Sequence, residues 1–407
     1  MEKRNVPKLR FKGFEDEWKS EVLGRFIKER VEKTESNGEY PLYSLTIEEG
    51  VVPKSERYER EFLVKKDGNF KVVYKNDFVY NPMNLRFGAL AVYKGDSPVV
   101  VSGYYNIFNF NNENSNFWIN YLKTSRMMYL YNTIATGSLE EKKRVHYSQF
   151  KDLNLKIPSL EEQTKIATFL SNVDNIIEEQ EGKVKDLEQY KKGMMQKIFK
   201  QEVRFRDDNG GEYPEWEEKK LGEIDAKLTR GPFGSALKKE FMISKCENSY
   251  KVYEQKHAIR KNCDIGEYYI DKEKYDELKR FEVRPGDFIM SCSGTIGEIF
   301  KIPINAEKGI INQALLKIEL GNCIDENYFL YCFRKNLDNL ETKGSGIKNI
   351  TSVKFLKEEF LMNIPCLEEQ TKIANFLSNI DNIIEEENKK LEDLKLWKKG
   401  LLQQMFL

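Results

Sequence analysis

Apolar residues recur at intervals of three and four positions along two long stretches of the chain, which is the spacing of an amphipathic helix. The first stripe contains Ile166, Phe169, Leu170, Val173, Ile176, Ile177, Val184, Leu187, Tyr190, Met194 and Ile198. The second contains Ile373, Phe376, Leu377, Ile380, Ile383, Ile384, Leu391, Leu394, Trp397, Leu401 and Met405. Both stripes weaken once, at Gln180 and at Glu387, so the pattern predicts two coiled-coil helices with one polar layer.

The two stretches are copies of one sequence. The segment from Ile157 to Phe199 returns at Ile364 to Phe406, a constant 207 positions later, and most aligned positions are identical. Because a long-period repeat decides architecture, the chain divides into two pseudo-equivalent halves. Ser159 with Glu162 predicts a capping box at the first helix start. Cys366 replaces the cap serine in the second copy, where we expect a weaker start.

Each predicted helix needs a long partner. A helix of about 40 residues is roughly 60 Å long, and its narrow stripe is too extended for a small domain to cover. The other copy is the nearest complementary stripe and is held at high effective concentration. We therefore expect the two copies to pair, antiparallel about a pseudo-two-fold axis. A parallel pair, or pairing with another subunit, remains open.

The solvent-facing side of the helix is also repeated. Folding alone does not require two identical exposed faces, whereas one kind of partner docking on each half does. The predicted partner-binding residues are Lys165, Asn172, Asn175 and Glu178, with the copies Lys372, Asn379, Asn382 and Glu385. The alternative is that the helices only hold the inserts together.

The inserts between the helices differ from each other in sequence. Both are rich in β-branched and aromatic runs broken by Gly, Asn and Asp, which predicts short strands and turns. Helices are predicted at 116–133 and 325–339. The expected fold class is α/β (α+β), with two mixed domains of curved, largely antiparallel sheets joined by the helix pair. The predicted boundaries are 1–156 and 203–363 for the inserts and 157–202 and 364–407 for the helices.

Composition excludes little beyond a few classes. Lys and Arg number 66 against 66 Asp and Glu, so a basic surface must be local. The six cysteines lack a C-x-x-C pair and only two histidines accompany them, so neither a disulfide framework nor a metal site is expected. No apolar run is long enough for a bilayer, and no signal segment is visible at the N-terminus. We expect a soluble, cytoplasmic protein.

Charge within the inserts is uneven. From Lys227 to Lys261 there are nine basic and three acidic residues, and Lys54 to Lys75 is also basic on balance. Basic stretches interleaved with Tyr, Gln, Asn and Gly suit phosphate contact with base-edge reading. A solvated lysine-rich face would give the same pattern.

No catalytic motif is recognisable in this sequence. The run Asn81-Pro82-Met83-Asn84 is similar to the Asn-Pro-Pro-aromatic loop of amino-methyltransferases, but it lacks the second proline and the aromatic residue, so a turn is predicted. Gly294-Thr295-Ile296-Gly297 lacks the lysine of a phosphate-binding loop. Because the two histidines suggest no triad, the chain is predicted to be a binding protein, not an enzyme.

Several longer motifs run over nearly the whole chain. The helix start Ile-Pro-x-Leu-Glu-Glu-Gln-x-Lys-Ile-Ala-x-Phe-Leu occurs twice, at Ile157 and Ile364, and a Gly-Ser segment precedes each copy. In the second insert the motifs are Gly231–Ser235, Arg284–Asp287, Cys292–Gly297 and Gly309–Ala314, and in the first they are Asn76–Asn84, Arg86–Gly88 and Val101–Tyr105. On these motifs the chain resembles the specificity subunit of type I restriction-modification enzymes. The acidic run after Gly137-Ser138 departs from the pattern of that family.

The resemblance implies a non-catalytic reader of double-stranded DNA. Two target-recognition domains would each bind half of a split, asymmetric site, and the helices would set the spacer. Two modification subunits would dock on the helices, and restriction subunits could join. S-adenosylmethionine, ATP and Mg would belong to those partners, with no cofactor in this chain.

Charge and loop position select the residues expected to contact DNA. They are Lys54, Arg57, Lys65, Arg86 and Tyr105 in the first domain, and Arg230, Ser235, Lys238, Gln255, Lys256, Thr295, Lys308, Gln313 and Lys348 in the second. Gly231, Gly234, Gly294 and Gly297 are expected to allow tight turns. The leading alternative is a coiled-coil scaffold that binds only proteins, and an enzyme with an unrecognised site is a third.

Overall fold

The chain forms two compact units, both of which include parts of the long helices. The structure is a computed structural model and describes residues 6–34, 40–54, 70–110, 114–342 and 352–406. Unit 1 contains Met1–Lys183 and Glu387–Leu407, and unit 2 contains Val184–Glu386. This division cuts each long helix near its middle, so it does not follow the four predicted segments.

Unit 1 is a mixed α/β structure with short strands. Its strands are β1 (Lys19–Val22), β2 (Ile27–Arg30), β3 (Lys33–Thr34), β4 (Tyr43–Thr46), β5 (Gly50–Pro53), β6 (Phe70–Val73), β7 (Phe78–Tyr80), β8 (Leu90–Val92), β9 (Val99–Ser102), β10 (Asn106–Phe110) and β11 (Asn154–Ile157). Its helices are α1 (Ser115–Leu122), α2 (Ser125–Ile134), α3 (Tyr147–Lys151) and the start of α4 (Leu160–Phe199).

The described strands of unit 1 form one four-stranded sheet and three smaller ones. The orders are β2-β10-β7-β8, β3-β6-β9, β4-β5 and β1-β11, and all the strand pairs are antiparallel. Alternating aromatic residues on the largest sheet face the helices, as a half-buried strand requires. Phe110 stacks on Trp118 of α1, with ring centroids 4.5 Å apart. This stacking fixes α1 against the sheet.

The helix predicted at 116–133 is two helices in the structure. Lys123 and Thr124 interrupt it, and the Thr124 hydroxyl accepts a hydrogen bond from the Met127 backbone N–H. A threonine side chain that caps a new helix in this way competes with continuation of the preceding one. The predicted helix is therefore correct on both sides of the break, but the sequence did not show where the break lies.

Unit 2 also mixes short strands with helices. Its strands are β12 (Glu217–Lys220), β13 (Ala226–Arg230), β14 (Tyr250–Tyr253), β15 (Tyr269–Ile270), β16 (Glu282–Val283), β17 (Phe288–Ser291), β18 (Ile299–Lys301), β19 (Gly309–Ile311), β20 (Leu315–Leu320) and β21 (Leu361–Ile364). Its helices are α5 (Gln255–Arg260), α6 (Lys272–Glu277), α7 (Glu326–Thr342), α8 (Val353–Glu358) and the start of α9 (Leu367–Met405).

Unit 2 repeats part of the topology of unit 1 despite its different sequence. The sheet β13-β20-β17-β18 matches β2-β10-β7-β8 in order and direction, and β12-β21 matches β1-β11. A second sheet, β15-β14-β19-β16, contains a parallel pair, β14 with β19. The predicted class, with largely antiparallel sheets, is confirmed. The helix predicted at 325–339 is α7, and the Asp325 carboxylate caps its first turn.

The two long helices run antiparallel inside unit 1. Asp174 pairs with Lys398, and Glu181 pairs with Lys395 at 2.6 Å, so positions advance along one helix as they recede along the other. Leu170 and Val173 share a buried core with Leu401 and Met405. Unit 1 therefore confirms the expected pairing of the two copies.

Unit 2 shows the same antiparallel arrangement at the other halves of the helices. Lys191 of α4 pairs with Asp381 of α9. Ile198 and Phe199, at the end of α4, share a core with Ile373 and Leu377, near the start of α9. Removing this apolar surface from water is the main driving force for the pairing.

The predicted polar layer joins the two copies of one repeat position. The Gln180 Nε2 donates to the Glu387 Oε2 at 2.7 Å and to the Glu387 backbone oxygen at 2.9 Å. Lys183 and Lys390 also reach the Glu387 carboxylate, at 3.0 and 2.8 Å. The Gln180 hydrogen bond, then those of Lys390 and Lys183, lower the pKa of Glu387 to about 2.

A buried ion pair at each helix start was missed by the sequence reasoning. Arg10 binds Glu162 through both carboxylate oxygens, and Arg204 binds Glu369 in the same way. The Ser159 hydroxyl does accept a hydrogen bond from the Glu162 backbone N–H, at 3.3 Å. The Glu162 carboxylate, which would complete the predicted capping box, instead accepts hydrogen bonds from Arg10. The available signal was a second short repeat, Leu9-Arg10-Phe11-Lys12 and Val203-Arg204-Phe205-Arg206.

The polar layer predicts a pH-dependent stability. The lowered pKa of Glu387 means that its contribution is complete above the ordinary carboxyl pKa of 4.5 and is lost as pH falls towards about 2. The stability difference between wild type and Glu387→Gln should therefore shrink as pH falls from about 5 to about 3. Urea unfolding across this range measures it, with the neighbouring Glu386→Gln as a control for net charge. A difference that stays constant over that range would contradict the assignment.

Candidate nucleic-acid interface and helix face

Four loops of unit 2 meet at one end of its sheets. Arg230, Leu316 and Met290 lie side by side on β13, β20 and β17, so the segments beyond them emerge together. The backbone N–H of Gly231 donates to Leu315 O at 3.0 Å, and that of Cys292 donates to Ala314 O at 2.8 Å. The Asn312 N–H donates to Tyr253 O at 2.9 Å, which adds the loop after β14.

This loop end collects most of the predicted DNA-contact residues of the second domain. It is formed by residues 231–235, 254–256, 292–297 and 312–314, and we call it the unit 2 loop end. The predicted residues in or next to it are Arg230, Ser235, Gln255, Lys256, Thr295 and Gln313. Ser235, Thr295 and Gln313 are exposed, as a contact residue must be. Lys256 pairs with Glu254 at 2.6 Å and lies over the Tyr268 ring.

Two buried polar atoms at this end have neither a hydrogen-bond nor an ion-pair partner among the described residues. They are Arg230 Nη1 and Gln255 Oε1, whereas the buried Glu254 Oε2 has the Lys256 ammonium at 2.6 Å. The Arg230 guanidinium is also 5.7 Å from the ring of Phe233, which is 67% exposed. A buried polar group that lacks a hydrogen-bond partner is costly. A rearrangement that gave Arg230 or Gln255 such a partner would therefore be favourable.

Close backbone approach shapes the unit 2 loop end. A Cβ at Gly231 would lie 1.9 Å from the Asn312 carbonyl oxygen, which no side chain can tolerate. Gly294 and Gly297 have positive φ, at 62° and 91°, in the β17–β18 turn. The prediction of tight turns is confirmed at Gly294 and Gly297, and Gly234 also has a positive φ of 66°, whereas Gly231 allows a close approach of two segments. Burial raises the pKa of the Cys292 thiol to about 11, so this neighbouring cysteine is a packing residue.

Three predicted residues of the second domain do not join this group. Lys238 is exposed after the loop and pairs with Glu240 at 3.4 Å. Lys308 precedes β19 and lies over the Tyr250 and Tyr275 rings, at the opposite end of that strand. Lys348 lies outside the described residues.

Unit 1 has a corresponding loop end, built from the segments after β2, before β10 and after β7. The segment after β7 is held by hydrogen bonds within its own turn. The Asn81 side chain accepts the Met83 N–H at 3.0 Å, and the Leu85 N–H donates to Asn81 O at 2.8 Å. Asn81 therefore holds a turn, as predicted, and its amide oxygen is not offered to a substrate.

The predicted contact residues of unit 1 are less exposed than expected. The Arg86 side chain is 6% exposed, pairs with Glu140 and lies over Phe87. Glu140 belongs to the acidic run that departs from the family pattern. Tyr105 packs partly against the core, and its carbonyl accepts a hydrogen bond from Lys71 Nζ. Lys54 is half-buried after β5, and Arg57 and Lys65 lie outside the described residues.

The repeated helix face is exposed in both units. Asn172, Asn175 and Glu178 of α4 are exposed, as are their copies Asn379, Asn382 and Glu385 of α9. Lys165 is exposed beside the Phe11 ring. Its copy Lys372 differs, because it binds Asp208 at 2.6 Å and the Arg206 carbonyl.

Sequence reasoning missed an apolar pair on this face. Ile176 and its copy Ile383 were placed in the buried stripe, but they are 46% and 45% exposed. Their neighbours Ile177 and Ile384 occupy the side nearer the core, and Ile177 packs there. The same isoleucine is therefore exposed in both copies, within an otherwise polar face.

The described residues contain no arrangement suited to catalysis by the groups considered above. Both ring nitrogens of His257 bind backbone atoms of Glu254 and Ile265, and burial lowers its pKa. Across the described ranges, no group of His, Cys, Asp and Glu side chains could hold a metal ion. Within the same ranges, no helix combines the length and apolar character needed to cross a membrane.

Comparisons with known proteins identify the family to which the chain is similar. The family model for the type I restriction modification DNA specificity domain matches residues 21–189 and 213–396, once in each half. A putative type I restriction enzyme MjaX specificity subunit from Methanocaldococcus jannaschii is 26% identical over 340 residues, which is 80% of this chain and 76% of that protein. The MjaVIII specificity subunit of the same organism is 29% identical, over 62% of this chain and 61% of its own length.

Solved structures agree on the fold. The type I restriction-modification S subunit from M. genitalium aligns with a TM-score of 0.55 at 14% identity, over 99% of each chain. A chain from a study of complex assembly and conformational transition of the type I R-M system aligns with a TM-score of 0.61 at 15% identity, over 97% of this chain and 98% of that one.

The structure therefore defines a class of two-unit protein that has a duplicated long helix and unlike loops on matching sheets. The chain belongs to the type I restriction-modification DNA specificity family. Specificity subunits are the non-catalytic components of type I restriction-modification systems.

The close approach at Gly231 generates a test of the unit 2 loop end. Gly231→Ala should destabilise this domain by about 1–3 kcal/mol, because the new methyl group forces apart two segments that hydrogen-bond to each other. Thermal or urea unfolding measures the change. Ser235→Ala, at an exposed position of the same loop, is the control. Equal stability of the two variants would show that the segments do not approach this closely.

Proposed function

We propose that this chain selects a bipartite, asymmetric DNA site, with one half-site read by each unit. The observation that supports this most is the matched pair of sheets, β2-β10-β7-β8 and β13-β20-β17-β18, which carry unlike loops at corresponding ends. A shared scaffold with different loops suits two domains that perform one task on two different sequences.

In unit 2 the reading residues would be Arg230 and Gln255. Arginine suits the O6 and N7 acceptors of guanine, and glutamine suits the N6 and N7 of adenine. A base edge would supply the acceptor that Arg230 Nη1 lacks and the donor that Gln255 Oε1 lacks. Because both atoms are buried, binding would require a local rearrangement of the loop end. Lys256 would contact phosphate.

In unit 1 the candidate reader Arg86 would first have to leave Glu140. The Arg86–Glu140 pair keeps the guanidinium occupied while DNA is absent. A cognate base that displaced Glu140 would exchange one charge-assisted hydrogen bond for another. Phe87 and Tyr104, which are 58% and 41% exposed, are the aromatic side chains best placed for contact at this end.

The helix pair would set the distance between the half-sites. Half-sites read from one side of B-DNA lie about one turn, roughly 34 Å, apart. Helices of 40 and 39 residues are each roughly 60 Å long, so they are long enough to hold two domains at such a spacing. The Gln180–Glu387 layer would fix their register, and with it the length of the non-specific spacer.

Two modification subunits would dock on the repeated helix face, one on each copy. Ile176 and Ile383 would be the apolar anchors, surrounded by Asn and Glu side chains. S-adenosylmethionine and the methyl transfer to adenine would belong to these subunits. Restriction subunits that use ATP and Mg could join the same assembly.

Genome-wide mapping of adenine methylation tests the proposed function. A split sequence motif should be methylated in cells that contain the chain and its modification subunit, and it should be unmethylated when the gene for this chain is deleted. Arg230→Ala should relax one half of the motif by about 1–3 kcal/mol and leave the other half unchanged. Lys256→Ala should weaken binding to all sequences and lower its salt dependence. An unchanged methylation pattern after deletion would favour a scaffold that binds only proteins.

A separate experiment tests the docking face. Ile176→Asp or Ile383→Asp should each remove about one modification subunit from the purified complex, because a charge replaces an apolar anchor. Mass measurement of the complex by light scattering gives the subunit ratio. Leu396→Asp is the matched control, because Leu396 is 67% exposed on α9 and its repeat counterpart is Gln189. Loss of binding in the control, or none in the Ile variants, would place docking elsewhere.

A further inference from the structure

A small cavity of unit 1 is lined by four lysines. It lies where α1 gives way to α2, beside the C-terminal part of α9, and its volume is about 300 Å³. Its lining residues are Lys123, Thr124, Ser125, Lys395, Lys398, Lys399, Leu402 and Gln403. We call it the four-lysine cavity. No acidic side chain is among these described lining residues.

Only part of this positive charge is neutralised. Lys395 pairs with Glu181, and Lys398 pairs with Asp174. Lys123 and Lys399 form no ion pair within the described ranges. Partial burial of the ammonium, and then the charge of Lys398, lower the pKa of Lys123. Roughly two positive charges therefore remain at one cavity, and like charges held together favour a bound anion.

The backbone adds further donors at the same place. Thr124 is the N-cap of α2. Its hydroxyl accepts the Met127 N–H and donates to the Tyr121 carbonyl at 2.9 Å, so the hydroxyl holds the helix start and is not itself an anion ligand. The first-turn amides of a helix have no partner inside the helix and carry partial positive charge. Ser125 and the amide of Gln403 add side-chain donors to the lining. The lining lysines and the side chains of Ser125 and Gln403 are therefore the donors that the cavity offers.

The second half of the repeat does not form the same arrangement. Lys398 and Lys399 correspond to Lys191 and Lys192, but Lys395 corresponds to Glu188. In unit 2, Tyr331 of the uninterrupted helix α7 donates to Asp381 at 2.5 Å and lies over Lys191. The helix pairing forms without four lysines there, so their presence in unit 1 is not a requirement of the coiled coil.

We propose that the four-lysine cavity binds a phosphate group. A terminal or free phosphate near neutral pH carries almost two negative charges, and two adjacent phosphodiesters of a nucleic-acid backbone carry two between them. Either source matches the two ammonium groups left unpaired, whereas a single carboxylate carries one charge. Lysine is a common phosphate ligand and acts as a point charge. The group could come from free phosphate compounds or from a nucleic-acid backbone. The proposal does not depend on the reading of DNA sequence by the loop ends.

Calorimetric titration of the full-length chain with inorganic pyrophosphate, in a buffer free of phosphate and sulfate, tests the proposal. One saturable site is expected. Lys123→Ala and Lys399→Ala should each weaken binding about tenfold, because each removes a charged donor. Lys123→Arg should retain binding because it retains the charge. Lys192→Ala, the repeat counterpart of Lys399→Ala, is the matched control and should bind as the wild type does.

Competition with duplex DNA identifies the source of the phosphate. Displacement of pyrophosphate by a duplex without the methylation motif would support the site as a backbone contact, and co-binding would support it as a site for free phosphate. Absence of saturable binding, or an equal loss in Lys192→Ala and Lys399→Ala, would overturn the proposal. The proposal would also be overturned if pyrophosphate never binds and the lysine variants instead release the modification subunit. Carboxylates of that subunit would then be the ligand of the cavity.

Discussion

The antiparallel pairing of two copies of one helix is the interaction on which the rest of this structure depends. Neither apolar stripe can be covered by a small domain, so each copy is the natural partner of the other, and each unit contains half of the pairing. The cores of the two units include residues of both helices, so the recognition sheets are packed directly on the pair. A change of register between the helices would therefore move the loops that these sheets carry.

Polar contacts specify this pairing while apolar burial drives it. Gln180 and Glu387 occupy the same repeat position, and their hydrogen bond is formed only when one copy meets the other in this register. Two glutamines would lack the charge that Lys183 and Lys390 balance, and two glutamates would repel each other. The Arg10–Glu162 and Arg204–Glu369 pairs add a second constraint, because each ties the segment before a sheet to the start of a long helix. Removing one member of either pair would leave a buried charge without its partner, which is costly.

The duplicated scaffold carries differences where function requires them. The sheets agree in strand order, but the loop end of unit 2 presents orphan polar atoms of Arg230 and Gln255, whereas unit 1 holds Arg86 on Glu140. The helix faces agree at Ile176 and Ile383, but a lysine cavity lies beside one copy and Tyr331 beside the other. Common positions suit a partner that binds twice, and under the proposed function the differing positions would give each half its own ligand.

The sequence by itself determined the duplicated helix, its polar layer and the mixed sheets, because apolar periodicity and repetition can be read directly from the order of the residues. The antiparallel direction of the helix pair was an expectation, and the ion pairs between the helices in each unit decided it. Only the tertiary structure decided which residues of that pattern are available. Ile176 fits the stripe but faces solvent, since a helix buries a narrower strip than its spacing suggests. The break at Thr124, the arginines on Glu162 and Glu369, and the meeting of four loops around Gly231 depend on residues distant in sequence. The pattern of residues along one segment does not show which distant residues will contact that segment.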